Sequence, residues 1–192
     1  MIVRVALFLL ALSLLPGCVA FERAPVSKLR CDPALAGRWQ PVKDGPLNNT
    51  VEIGPDCTLR WPNEAGGFHR ATLAGFTLGD DRYLVFSPTD ADRVLAAEGD
   101  LIRSAPKGSV FLARYRIDGD NALLWLPDPQ IALQAGTKGE ATGRRIEDQF
   151  TYVEGNRKAI ATLLRTRGDA MFRMAETRGT LALRRLPPEA AP

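Results

Sequence analysis

The chain has 192 residues, of which 45% are hydrophobic and 24% are charged. This length is sufficient for one domain with a substantial buried core. The formal net charge is only +3, which argues against the strongly basic surface typical of nucleic-acid-binding proteins. No nucleic-acid partner is therefore predicted.

The N-terminus carries a short apolar run. Residues 5–15 are apolar except for Ser13, Arg4 precedes them, and Pro16 and Gly17 interrupt the run. A secretory signal has an apolar core of about 7–15 residues, whereas a membrane-spanning helix needs about 20. The pattern therefore predicts that residues 1–17 form a cleaved signal peptide.

The end of this run resembles the lipobox of bacterial lipoproteins. Leu15 stands three places before Cys18, the small residue Gly17 stands directly before it, and Pro16 occupies the place where Ala or Ser is usual. The resemblance implies that Cys18 receives a diacylglyceryl group, that the signal is cut before it, and that the new amine is acylated. Such acyl chains would anchor the protein to a membrane of the cell envelope. In that family, the residue directly after the Cys decides the sorting of the protein, and Asp at this place keeps it from the outer membrane. Val19 stands there instead, so the resemblance implies attachment to the periplasmic side of the outer membrane. The alternative is ordinary secretion with a free Cys18 thiol.

Two further cysteines remain if Cys18 is acylated. Cys31 and Cys57 are then an even pair in an oxidising compartment, and we predict a disulfide between them. Their Cα atoms should lie about 4.4–6.8 Å apart. The alternatives are two buried free thiols or a metal site. Because His69 is the single histidine, a four-ligand zinc site is disfavoured, and neither a metal nor a cofactor is predicted.

The mature chain is predicted to contain one domain. Residues 21–30 mix charge, Pro25 and Ser27 without periodicity, so residues 18–34 are predicted to form the lipidated N-terminus and a tether. Residues 35–186 are predicted to form a single β-rich domain. Residues 187–192 are predicted to be a disordered tail.

Hairpins are predicted where turn signals separate β-rich runs. The turns are Gly54-Pro55-Asp56, Gly79-Asp80-Asp81 and Asp118-Gly119-Asp120-Asn121. In the last hairpin, alternation places Phe111, Ala113 and Tyr115 on one face and Arg114 on the other. Because a charged Arg114 is costly to bury unpaired, the face with Phe111 and Tyr115 is predicted to point inward.

Helical signals occur in three segments. Residues 90–101 are predicted to be a short helix or a surface turn, and residues 128–135 a short helix. Residues 156–167 give the strongest signal, because Asn156 can cap a helix there and Gly168 can stop it. Ile160, Leu163 and Leu164 form its apolar stripe.

Strands are also predicted within residues 142–154 and 177–186. The fold class that follows is mainly β: an antiparallel curled sheet or small barrel with one or two packed helices.

Two segments of the mature chain resemble known proteins. Gly37-Arg38-Trp39 resembles the Gly-x-Trp signature of lipocalin-like barrels, in which the Trp packs across the barrel floor. The later half, from residue 110 through the helix near residue 172, resembles segments of uncharacterised bacterial lipoproteins. That second resemblance implies no activity.

No catalytic motif is present, and the protein is predicted not to be an enzyme. His69 lies in an alternating run that favours a surface or strand-edge position, and a base needs a nucleophile or an acid within reach. The first functional hypothesis is an envelope lipoprotein with a recognition or structural role, docking to envelope proteins or peptidoglycan through its surface. The alternative is a lipocalin-like carrier that binds an apolar ligand or lipid inside the barrel, with Trp39, Phe111 and Tyr115 lining the site.

Overall fold

The computed structural model describes residues 18–42, 50–62, 66–95, 105–134, 141–146, 150–174 and 180–187. The predicted signal peptide, residues 188–192 of the predicted tail and residues 96–101 of the first predicted helix lie outside the described residues.

The described residues form a sheet of twelve strands. The strands are β1 (Cys18–Phe21), β2 (Gly37–Pro41), β3 (Val51–Ile53), β4 (Thr58–Pro62), β5 (Phe68–Thr72), β6 (Ala74–Leu78), β7 (Asp81–Phe86), β8 (Val110–Asp118), β9 (Asn121–Trp125), β10 (Thr142–Ile146), β11 (Phe150–Glu154) and β12 (Thr180–Arg185).

The sheet is mixed but mostly antiparallel. Its main order is β10-β11-β1-β8-β9-β12-β2-β3-β4-β5, with β7 pairing both β8 and β6. Strands β1 and β11 are parallel, while every other strand pair in the described residues is antiparallel. The prediction of a mainly β fold with a curled antiparallel sheet is confirmed, and the sheet is not closed into a barrel.

The predicted hairpins form at their turn signals. Asp118 pairs with Asn121 across the β8–β9 turn, where Gly119 has φ 57°. Leu78 pairs with Asp81 across the β6–β7 turn. Each of these two turns has a glycine at positive φ, Gly79 at 66° and Gly119 at 57°, which glycine adopts without steric cost.

Side chains from distant strands meet in one buried cluster, which shows how strongly the sheet curls. The cluster contains Trp39 of β2, Leu59 of β4, Leu84 of β7 and Tyr115 of β8. The curl is helped by a bend at Leu73, whose amide donates to the Cys57 carbonyl at 2.9 Å. Before this residue β5 pairs with β4, and after it β6 pairs with β7.

In the part of the chain that the structure describes, three α-helices pack on the sheet. They are α1 (Pro88–Leu95), α2 (Pro129–Leu133) and α3 (Arg157–Met171). In α3 the Asn156 side chain accepts a hydrogen bond from the Ala159 amide at 3.0 Å, as a cap should. The predicted stripe of Ile160, Leu163 and Leu164 is buried against the sheet.

The prediction that Gly168 stops α3 is wrong, because the helix continues to Met171. Gly168 serves packing instead. A Cβ at this position would lie 3.3 Å from the Tyr83 hydroxyl and 3.6 Å from Arg114 Nη1. The missing side chain therefore lets the helix lie close to the sheet.

The first described residues belong to the sheet, which differs from the predicted tether. Strand β1 begins at Cys18 and lies between β11 and β8. Val19 is 3% exposed, and Ala20 and Phe21 are fully buried. Alternation over only four residues is too short a signal to separate such a strand from a linker.

Across the described ranges, no helix combines the length and hydropathy needed to cross a membrane.

Candidate functional site

A segment that we call the strap, residues 26–35, crosses from α3 to the edge of β6. Arg30 exchanges two backbone hydrogen bonds with Gly75 of β6, at 2.8 and 2.9 Å. The predicted disulfide between Cys31 and Cys57 fixes the strap to the start of β4, with Cα atoms 5.6 Å apart. The strap ends in a short 3-10 helix, Pro33–Leu35.

Asp32 organises the centre of the strap. Its Oδ1 accepts a hydrogen bond from the Ala34 amide at 2.9 Å, which caps the 3-10 helix. Its Oδ2 accepts from the Tyr115 hydroxyl at 2.6 Å and lies 3.3 Å from Nη1 of Arg82. Burial and the bond to Asp32 both raise the pKa of Tyr115, so the phenol stays protonated further into the alkaline range.

The end of the strap is held by an arginine and a tryptophan. Trp39 is fully buried, and its Nε1 donates to the Leu35 carbonyl at 2.7 Å. The Arg185 guanidinium lies 4.2 Å above the Trp39 ring, a cation–π distance. Arg185 also donates to the carbonyls of Ala34 and Ala36. The strap is thus tied to the first and last strands of the predicted domain.

Between the strap and the sheet lies an open cleft of about 440 Å³, which we call the strap cleft. Lys28, Arg30 and Asp32 of the strap line one side, and Thr77, Arg82 and Tyr115 of β6, β7 and β8 line the other. Its apolar lining includes Leu35, Leu73, Leu84 and the disulfide. This volume falls within the range of about 300–1,000 Å³ typical of small-molecule sites.

The three residues proposed to line a ligand site inside the sheet do not all come together. Trp39 and Tyr115 share one buried cluster, whereas Phe111 belongs to another with Phe150 and Tyr152. Of the three, Tyr115 lines the strap cleft, and neither Trp39 nor Phe111 does. The face of Phe111 and Tyr115 is buried as predicted.

The opposite face of β8 is also buried, which the sequence did not indicate. Arg114 is 7% exposed and forms ion pairs with Asp81 of β7 and with Asp169 of α3. We call these three residues the helix clamp. The sequence places Asp81 only in a turn. Nothing in the local pattern shows that α3, whose Asp169 lies 55 residues after Arg114, covers this face of the sheet.

Cys18 is half-buried at the start of β1. It packs against the cluster of Ala20, Phe111, Phe150 and Tyr152. Burial raises the pKa of its thiol, so the reactive thiolate is disfavoured in the folded chain.

The remaining polar candidates are scattered. His69 lies exposed on β5 and stacks on Trp61, with ring centroids 5.1 Å apart. Asp118 and Asp120 lie at the β8–β9 turn. Within the described ranges, no three His, Cys, Asp or Glu side chains converge as a metal site would require.

Sequence reasoning missed the strap itself. The Asp32-Pro33 pair is a typical helix start, and it follows Cys31 directly, so a local structure at this point could have been predicted. Its pairing with Tyr115 and Arg82 depends on contacts across 83 and 50 residues, which carry no local signal.

Comparison with protein-family models, with curated proteins and with solved structures finds no match for this chain.

Proposed function

We propose that this protein is a lipid-anchored, non-enzymatic recognition protein of a bacterial cell envelope, and that the strap cleft is its binding site. The observation that carries the proposal is the position of the cleft. The inner face of the sheet is filled by buried side chains, including Trp39 and Leu59, whereas the strap cleft opens to the surface. Ligand sites are typically concave, partly apolar and furnished with a few placed polar groups.

The way the strap is held supports the same role. A disulfide, a strand bridge and the bonds of Asp32 and Arg185 fix its backbone on one side of the cleft. A binding surface that is ordered before the ligand arrives loses less conformational entropy on binding. The strap therefore suits recognition better than a free tether would.

The anchor is proposed at Cys18, on the outer membrane and facing the periplasm, from the lipobox resemblance. Because β1 begins at Cys18, an anchored protein would have no linker between the lipid and the sheet. The domain would then lie directly against the bilayer. The half-buried thiol implies that lipid is attached before β1 enters the sheet.

The anchor is tested by replacing Cys18 with Ser and following membrane fractionation. We expect the variant to lose normal processing and membrane attachment. A Cys18→Ser protein that is still cut normally and still bound to membranes would exclude the lipid anchor.

The binding site is tested by filling the cleft. Thr77 lines the strap cleft and is exposed, and Thr72 is an equally exposed strand threonine on β5 that does not line it. Protein purified from its own membranes in a neutral detergent should carry a bound species in native mass spectrometry. Thr77→Trp should lose that species, whereas Thr72→Trp should keep it. Equal occupancy in the two variants would exclude the strap cleft as the binding site.

A further inference from the structure

The strap cleft concentrates positive charge. Lys28, Arg30 and Arg82 line it, with Asp32 as the single carboxylate among its lining residues. Within the described part of the chain, neither Lys28 nor Arg30 has an ion-pair partner, and Arg82 pairs with Asp32. Two cationic groups are therefore uncompensated at the cleft, which favours an anionic ligand group there.

Arg82 is the positioned cation of the set. Its Nη1 lies 3.3 Å from Asp32 Oδ2, which also accepts the Tyr115 hydroxyl at 2.6 Å. One guanidinium nitrogen is thus held by the protein, and the planar group keeps further N–H donors for an oxyanion. Because Tyr115 is only 5% exposed, its hydroxyl holds the Asp32 carboxylate from the buried side of the cleft.

The other part of the cleft is apolar. The leucines among its lining residues are buried and form its floor. Its accessible apolar lining comes from Val26, which is half-buried, and from Pro33 and Cys31 of the disulfide, which are exposed. A free inorganic anion would leave this lining exposed to water. A ligand with an apolar portion would cover it and gain from removing it from solvent.

We infer that the strap cleft binds an anionic amphiphile. A phosphate or carboxylate head contacts Lys28, Arg30 and Arg82. An alkyl portion lies on Val26, Pro33 and the disulfide. This inference rests on the proposed function and names the class of ligand for the same site.

The experiment uses the lipidated protein in a neutral maltoside detergent. Native mass spectrometry measures the bound fraction of three probes: dodecyl phosphate, dodecanol and inorganic phosphate. We expect dodecyl phosphate to bind at least tenfold more tightly than either other probe, because each of them supplies only one half of the interaction.

Charge variants test the position of the head group. Lys28→Ser with Arg30→Ser should raise the Kd of dodecyl phosphate at least tenfold. The matched control is Arg70→Ser with Arg145→Ser, which removes the same charge from two exposed residues on β5 and β10 outside the cleft. This control should leave the Kd within twofold.

Three results would overturn the inference. They are equal affinity for dodecyl phosphate and inorganic phosphate, an equal loss of affinity in the two double variants, and no binding of dodecyl phosphate at all. If Thr77→Trp still displaced the species that co-purifies with the protein, such a result would overturn the ligand class alone and leave the proposed binding site in place.

Discussion

Two neighbouring residues of β8 bury polar groups on opposite faces of the sheet. Tyr115 donates one hydrogen bond to Asp32 of the strap, whereas Arg114 joins Asp81 and Asp169 of the helix clamp through its full charge. Losing a partner is costly for a buried charge and milder for a hydroxyl that remains neutral. Strand β8 therefore contacts its two coverings differently: it holds α3 through ion pairs, and it holds the strap through a weaker hydrogen bond. The strap is fixed mainly by its disulfide to Cys57, at the start of β4.

The largest effect should come from the disulfide of the strap. Cys31→Ser with Cys57→Ser opens a loop of 26 residues, and the free energy of unfolding should fall by about 3–4 kcal/mol because the unfolded chain is no longer constrained. Urea denaturation without reductant measures this loss. Reductant should destabilise the native protein and leave the variant unchanged. A variant as stable as the native protein would show that the non-covalent contacts alone hold the strap.

The second effect should come from the helix clamp. Asp81→Asn with Asp169→Asn leaves the Arg114 guanidinium, whose side chain is 9% exposed, without a carboxylate. Breaking a fully buried pair costs about 3–5 kcal/mol, but Asp81 is 34% and Asp169 85% exposed. We therefore discount the loss to about 2–3 kcal/mol in the free energy of unfolding.

The control for the clamp is Asp80→Asn with Asp118→Asn, which changes two exposed turn carboxylates. Hydrogen exchange should show that α3 amides lose protection in the clamp variant while strap amides keep theirs. Equal loss in both segments would mean that Arg114 does not hold α3 separately.

Local patterns predicted most of the elements of this fold. The β8–β9 hairpin follows from alternation and its Asp-Gly-Asp-Asn turn, and α3 follows from its apolar stripe and the Asn156 cap. The disulfide follows from counting cysteines once Cys18 is set aside. Each of these signals lies within a few residues, or depends on composition alone.

Long-range placement could not be predicted in the same way. Strand β1 is only four residues long and pairs with β11, more than a hundred residues away. Gly168 is a helix-stop residue by propensity, yet its use depends on Tyr83 and Arg114 of other strands. The strap cleft likewise joins Asp32 to Tyr115 and Arg82, so the candidate site depends on how distant segments meet.

A smaller effect should separate two tyrosines on the two faces. Tyr115→Phe removes the bond to Asp32 and should lower the free energy of unfolding by about 1–2 kcal/mol. The Tyr83 hydroxyl, beside the helix clamp, is buried without a hydrogen-bond partner in the described residues. Tyr83→Phe should therefore be neutral or stabilising by up to about 1 kcal/mol. Urea denaturation of both variants measures the difference, and equal destabilisation would contradict the assignment of their hydroxyl environments.

At about pH 10, the smallest effect should come from the ionisation of tyrosines. Burial raises the pKa of Tyr83 to about 12 and, together with the bond to Asp32, raises that of Tyr115. An unfolded tyrosine titrates near 10, so the folded state keeps protons that the unfolded state releases. The stability from each phenol is then fully present below about pH 10 and is lost as the pH rises through the folded pKa.

The ionisation of each tyrosine should lower the unfolding free energy by about 0.4 kcal/mol at about pH 10, and the slope above that pH should stay below about 1.4 kcal/mol per pH unit. Tyr83→Phe and Tyr115→Phe should each remove the part of this alkaline loss of unfolding free energy that comes from the substituted tyrosine. Burial also raises the pKa of Tyr152, so its contribution to the alkaline loss should remain in both variants. Urea denaturation across the alkaline range measures the slopes, with phenolate absorbance reporting ionisation. A decline unchanged by Tyr115→Phe would mean that the Tyr115 hydroxyl is not held protonated against Asp32.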